Sequence, residues 1–402
     1  MRKISKLVEN RKDEIITFVQ ELIRTPSVSG DESEIAKVMS NKMRLVGFDT
    51  VKVDSINNVI GTLKGDGGRS LLLNGHIDHV PVGDMLDPYS GRLMNGATFG
   101  VDGEVIYGRG ASDMKGAVGA MVMAAGVLRE LGVTLGGDLH VVGVVDEERG
   151  GAGTKATITE GHLLADTVLI GEATNMDLHL GHRGAAGTTI VVKGKSCHAS
   201  APDRGVNALY KAIELIERIR EDLIPRLPDD PIYGKTTLAI TRISVKPDVS
   251  NVVPDECEIY LDCRNGEIFP ASTLMWELRK IVEDIKNFDK EFDAVVLPRS
   301  LITERSDFNG FYTNPKNNPI VNEARNAIRK VLNREPRLRT WQFATDGRIY
   351  SRMGIPVIGF GPGEERFAHT HQDHVRVEDV INSVKVYSYL AWKLCNGLGV
   401  SV

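Results

Sequence analysis

Short apolar runs that stop on a charged or imidazole side chain recur along this chain: SLLLNGHID (70–78), DLHVVGVVDEE (138–148), DTVLIGEAT (166–174) and GIPVIGFGPG (354–363). Brief and rich in Leu, Val and Ile, such runs fit strands buried on both faces, as in a parallel sheet covered by helices. The segments between them carry helical periodicity. Residues 11–24 and 34–46 are amphipathic, and DMKGAVGAMVMAAGVLREL (113–131) fills its faces with Ala and Met, as a buried helix does.

After Arg183 the texture changes. AAGTTIVVKGKS (185–196) and TTLAITRISV (236–245) alternate with the two-residue period of strands. NALYKAIELIERIRED (207–222) is an amphipathic helix, and ECEIYLDCR (256–264) and FDAVVLPRS (292–300) add two more strands. The helix NPIVNEARNAIRKVL (318–332) then resumes the earlier pattern. A length of 402 residues suits two or three domains at about 150 residues each. The expected organisation is a discontinuous α/β domain, 1–184 and 301–402, interrupted by an α+β unit over 185–300.

Composition narrows the function. The net charge is −5, from 49 basic and 54 acidic residues, with no basic stripe to neutralise phosphates, so nucleic-acid binding is excluded. The N-terminal stretch lacks the unbroken apolar core of a secretory signal. The run Gly116–Leu128 falls short of the ~20 residues that span a bilayer. Four cysteines without a Cys-x-x-Cys pair make neither a disulfide framework nor a zinc ribbon. Cys257 and Cys263 share a strand face, yet six residues of strand separate them by ~20 Å, beyond disulfide reach. A soluble cytoplasmic protein is expected.

The strand-end loops accumulate metal-type ligands. His76 and Asp78 lie two apart and project to the same side of extended chain, where a carboxylate accepts the second ring N–H of a ligating imidazole. Alone they read more readily as a loop histidine beside a turn aspartate. Asp113 in GRGASDMKG reads alone as a helix N-cap, which leaves the three nearby glycines unexplained. Glu172 in GEATN is equally a solvated turn acid or a ligand, and GPGEERFAHTHQDH gathers three of the ten histidines, His369, His371 and His374. Together His76, Asp113, Glu147 or Glu148, Glu172 and a C-terminal histidine form a mixed set suited to Zn²⁺ or Co²⁺. They exceed what one tetrahedral ion needs, so two ions sharing a carboxylate fit better.

The ordered set GHIDHVP, GRGASDMKG, DEERGG, GEAT, SCHASAPDRGVNA, NVVPDECEIYLDCR and GFGPGEERFAH closely resembles the acetylornithine deacetylase, succinyl-diaminopimelate desuccinylase and glutamate carboxypeptidase family. The resemblance covers nearly the whole chain. It implies an α/β/α catalytic domain interrupted by an α+β lid that dimerises, with two zinc ions. His76, Asp113 and Glu172 would hold one, and Asp113 would bridge to a second held by Glu148 and His369. Asp78 would orient His76, Glu147 would be the general base, and the peptide bond after Asp113 would be cis. His198 would reach the active site of a second subunit and stabilise an oxyanion. Arg264, Asn251, Arg183 and Thr345 fall at substrate-binding positions; a guanidinium grips a carboxylate through two parallel hydrogen bonds, although a strand-end salt bridge also explains Arg264. His79, the Cys-His-Ala-Ser stretch, His371 and His374 depart from the commoner family pattern, and the usual spacing selects His369 over His371.

The activity implied is hydrolysis of an amide bond in an N-acyl amino acid, of deacetylase or desuccinylase type. Dipeptidase, carboxypeptidase and N-carbamoyl amino acid hydrolase are alternatives with the same ions. A non-catalytic binding protein that keeps the fold is disfavoured by Glu147, since a metal-only or packing role needs no spare carboxylate.

Overall fold

The computed structural model describes residues 1–161, 163–298 and 307–397. They form two compact units: Met1–Gly181 with Tyr312–Trp341 and Thr345–Val402, and His182–Phe311 with Gln342–Ala344. The expected downstream junction at 300/301 lies outside the described residues. Beyond it, Asp307 and Asn309 still belong to the second unit, because their side chains accept from the main-chain N–H of Ser272 and of Ala185, each at 2.7 Å.

The first unit is built on a nine-stranded sheet. Four strands make its parallel centre: β1 (Leu71–His76), β2 (Leu139–Val144), β3 (Thr167–Ile170) and β4 (Val357–Gly359). β2 and β3 flank β1, and β4 follows β3. All residues of β1 and β2 are buried, so both faces are covered and the apolar runs are explained. Antiparallel strands extend the sheet, Val59–Leu63 and Thr50–Val53 beside β2 and Leu178–His182 beside β4. Parallel register aligns His76 with Val144, and Asn74 with Ile170, which in turn pairs Gly359. The carboxyl ends of the four strands therefore sit level, the place where open α/β sheets collect ligands.

Helix α1 (Gly116–Glu130) packs on β1 and β2. Its residues from Gly116 to Leu128 are all buried. A Cβ at Gly119 would lie 2.5 Å from Val19 Cγ2, so the missing side chain lets the helix Lys12–Arg24 approach closely. Each fully buried Met or Leu here contributes roughly 1.5–3 kcal/mol. With the preceding turn, Ala111–Glu130 makes 20 residues, long and apolar enough to cross a membrane. The shorter run read from the sequence omitted that turn. The whole window is buried inside the first unit's core, the setting of an ordinary core helix.

The second unit is α+β. Its antiparallel sheet runs in the order Thr237–Lys246, Glu256–Asn265, Gly184–Lys193, Asp293–Pro298. Residues of Glu256–Asn265 alternate strictly between buried and half-buried, which is the two-residue period seen in the sequence. The helices Ala208–Arg218 and Ala271–Phe288 supply the other half of a separate core. Cys257 and Cys263 are buried in it as free thiols.

Candidate active site

His76 ends β1, and its ring is fixed from behind. Nδ1 lies 3.0 Å from the Asp78 carbonyl oxygen and 3.4 Å from Asp78 Oδ1. The orienting task foreseen for the Asp78 carboxylate is thus shared with its own main chain. On the other side of the ring, Nε2 lies 2.9 Å from Asp113 Oδ1 and 3.6 Å from Glu172 Oε1. The buried Asp78 also accepts from Ser29 Oγ at 2.7 Å, and from the main-chain N–H of Glu147 and Glu148 at 3.2 and 3.3 Å. One carboxylate thereby orients the imidazole and starts the helical turn Glu147–Arg149 that follows β2.

Asp113 enters from a glycine-rich loop, and the peptide bond after it is cis. Its two oxygens face different imidazoles: Oδ1 meets His76, and Oδ2 lies 3.2 Å from His369 Nε2. His369 Nε2 also lies 2.9 Å from Glu148 Oε1. Glu172 follows β3 and is 3% exposed. Donor atoms of His76, Glu147 and Glu172, and again of His76, Asp113 and Glu148, lie within 4.8 Å of one another. The geometry thus puts Glu147 as well as Glu148 within reach of a donor set.

Among the described residues, His79 and His374 are packed elsewhere, and the His371 side chain is exposed. His79 Nε2 accepts from Ser27 N–H at 3.1 Å while Nδ1 faces the Val80 carbonyl at 2.7 Å, and burial pushes its pKa down to about 4. His374 is buried, with Phe99 and Phe367 rings 4.4 and 4.2 Å away. His371 is exposed and lends its main-chain carbonyl to Tyr107. Among the described residues, the imidazole that meets Asp113 and Glu148 is that of His369.

The charge balance is one-sided. Withdrawal from water, together with the charge of Asp346, pushes the Glu147 carboxyl well above its ordinary range; withdrawal and Asp113 do the same to Glu172. His369 is raised to about 10 by its hydrogen bonds to Asp113 and Glu148. For His76 burial opposes protonation, but its contacts with Asp113 and Asp78 outweigh it and raise the pKa. Glu172 Oε2 is buried without a hydrogen-bond partner. Crowded carboxylates, one unused buried oxygen and two imidazoles are a donor set that divalent cations complete.

The remaining candidates are distributed over both units. Thr345, in the first unit, is buried, and its hydroxyl accepts from Gly347 N–H at 3.2 Å. In the second unit, the strand Cys197–His198 pairs Val252–Val253, and Ala199 N–H donates to the Asn251 carbonyl, so His198 and Asn251 are neighbours. His198 Nδ1 accepts from Ser200 N–H at 3.1 Å, which leaves Nε2 to carry the ring proton. Arg264 is held by Asp262 through Nε at 2.7 Å and Nη2 at 3.3 Å. That is the strand-end salt bridge, so any substrate carboxylate has to compete with Asp262. Arg183 donates to the Gln342 carbonyl at 3.0 Å; burial and then the nearby Arg264 lower its pKa.

Sequence reasoning missed Asp346. It is buried, holds Thr154 Oγ1 at 2.6 Å, and leaves Oδ1 without a partner. An Asp between Thr and Gly reads as a turn or a cap, so nothing in the sequence marks it.

Gly361, past the end of β4, keeps this corner closed. A Cβ there would stand 2.2 Å from the Gly171 carbonyl oxygen and 2.4 Å from that of Glu172. Gly361→Ala has to push the Glu172 main chain aside, and a loss of about 1–3 kcal/mol is expected, read as a lowered midpoint in denaturant unfolding.

Comparison with known proteins places this geometry in a family. The profile of peptidase family M20/M25/M40 matches residues 72–393. The uncharacterised protein YgeY of Escherichia coli K12 is 30% identical over 410 residues, which cover 96% of this chain and 97% of its own. Succinyl-diaminopimelate desuccinylase of Gluconacetobacter diazotrophicus is 28% identical over 395 residues, or 93% and 95% of the two chains. The crystal structure of human carnosine dipeptidase 1 superposes with a TM-score of 0.76 over 98% of each chain at 16% identity, a likeness of fold. The chain belongs to peptidase family M20/M25/M40, and it is a hydrolase acting on amide or peptide bonds.

Proposed function

We propose that this hydrolase cleaves the amide bond of an N-acyl amino acid with the help of two divalent cations. The observation that carries the reading is Asp113, whose two oxygens face the imidazoles of His76 and His369. His76, Asp113 and Glu172 would hold one cation, and Asp113, Glu148 and His369 the other. Zn²⁺ suits these ligands, with Co²⁺ as a substitute. Such a pair lowers the pKa of a water toward ~7 and polarises a carbonyl. Glu147 takes the proton from the attacking water and returns it to the leaving amine, so that the amine departs neutral. Asp78 holds the His76 ring and the Glu147–Glu148 turn in place. In a dimer, the Nε2–H of His198 would reach the active site of a second subunit and serve there as a donor for the oxyanion that develops at the carbonyl.

For the acyl amino acid, the support is the desuccinylase relative together with the guanidinium groups of Arg183 and Arg264, with Asn251 and Thr345 as further contacts. Dipeptides are the second reading; Asp262 already occupies the Arg264 fork, which weakens the case for an additional acyl carboxylate there, as in a succinyl group, and leaves acetyl amino acids and dipeptides level. Two further proposals concern the setting. Tyr210 and Ile213 on the helix Ala208–Arg218 are 69% and 44% exposed, which supports a homodimer through the second unit. The four free cysteines suit a reducing compartment, the cytoplasm.

Chelator-stripped protein should lose turnover and regain it with Zn²⁺ or Co²⁺. The assay panel compares acetylornithine, succinyl-diaminopimelate, other N-acetyl and N-carbamoyl amino acids, and dipeptides at equal concentration. The highest kcat/KM is expected for an N-acyl amino acid; a dipeptide in first place would transfer the assignment to the second reading. Protein that holds two ions yet cleaves nothing in the panel would refute both.

A further inference from the structure

A buried ion pair ties together the two loops that carry Asp113 and His369. Arg109 and Asp373 are 3% and 1% exposed, and their side chains meet at 3.3 Å. The Asp373 carboxylate accepts from the main-chain N–H of Gly110 at 2.7 Å and of Ser112 at 2.8 Å, directly upstream of Asp113. The Asp373 carbonyl accepts from Gly108 N–H at 3.1 Å. Arg109 Nη1 donates to the carbonyl of Thr370, the residue after His369, at 3.0 Å, and Nη2 reaches the Val82 carbonyl at 3.4 Å.

A buried charge pair stabilises a fold no better than apolar packing of the same volume often does, so its retention calls for another reason. The hydrogen bonds supply one. Two of them end on the main chain of Ser112 and Thr370, the immediate neighbours of Asp113 and His369, and a third on Gly110 in the same loop as Asp113. His76 and Glu172, by contrast, are set by the ends of β1 and β3. His369 is half-exposed and stands on a loop with φ of 62°, outside any strand. We infer that Arg109 and Asp373 are positioning residues that set the separation of Asp113 from His369, and with it the affinity of the second cation position.

This inference rests on the two-cation reading, and its test separates the two. Metal-stripped wild type, Arg109→Lys and Asp373→Asn are titrated with Co²⁺ against a chromophoric chelator, with visible absorption reporting each binding step. Arg109→Lys keeps a positive charge beside Asp373 but loses the planar fork that reaches Thr370 and Val82. Wild type should bind in two steps. In both variants the second step should weaken by about 10–100-fold, the range for loss of an outer hydrogen-bond partner of a ligand. The first step and the near-ultraviolet circular dichroism should match wild type. Variants that titrate like wild type overturn the inference, and so do variants that weaken both steps in proportion to lost tertiary signal. Where Asp373→Asn fails to fold, Arg109→Lys decides alone. A wild type that takes up fewer than two ions overturns the two-cation reading, and this inference with it.

Discussion

Replacing Glu147 by glutamine is expected to lower kcat by about 10²–10⁴-fold, roughly 3–5 kcal/mol of barrier, with both cations still bound. The amide keeps the size of the side chain, and the main-chain N–H of residue 147 still reaches Asp78, as it does at 3.2 Å. What disappears is the capacity to accept a proton. Glu148→Gln is the contrast. Its Oε1 faces His369 Nε2 at 2.9 Å, so loss of that charge weakens one cation position, and metal content should fall from two ions toward one. Steady-state kinetics and elemental analysis on the same preparations check both. The experiment has bite because the Glu147 carboxylate also lies in a donor set with His76 and Glu172. If Glu147→Gln loses a metal while Glu148→Gln keeps two and loses turnover, the roles are reversed.

Asp113→Ala should be more damaging than either. Its oxygens contact both imidazoles, at 2.9 Å for His76 and 3.2 Å for His369, whereas Glu148 contacts His369, at 2.9 Å. Without it each position keeps a single carboxylate and one histidine of the assigned set, too few for tight binding. Affinity should fall at both positions by more than the about 10–100-fold that an outer partner costs, leaving less than one ion per chain after dialysis and turnover at background. His369→Ala should remove one ion and retain the other. Retention of two ions by Asp113→Ala would show that the shared carboxylate is not what joins the positions.

The centre of the first unit was legible because strands buried on both faces give unbroken apolar runs, and the polar residues that end those runs are the ones the sheet brings level. His76, Glu147, Glu148 and Glu172 were readable for that reason. The second unit was readable from the alternation in Glu256–Asn265. Contacts between chain-distant residues were not. The junction near residue 311 depends on Asp307 and Asn309 reaching back to Ser272 and Ala185. Arg109 and Asp373 lie 264 positions apart, and nothing local marks either. The packing of His79 and His374 likewise arises only when strands and loops meet, whereas the grip of Asp262 on Arg264, two residues apart on one strand, is the local salt bridge that the sequence offered. The roles of the two glutamates came from resemblance, since adjacent carboxylates on one turn look alike to every local rule.

The five proposed ligands come from positions 76, 113, 148, 172 and 369, each on a separate segment of the first unit. Ions bound among them would act as cross-links, pinning together stretches of chain that are covalently remote. A disulfide stabilises in the same way, by removing freedom from the unfolded chain, yet the four cysteines here are free. Coordinate bonds would do in this fold what sulfur does in secreted domains, with the added property that the cross-link is withdrawn whenever the ions are.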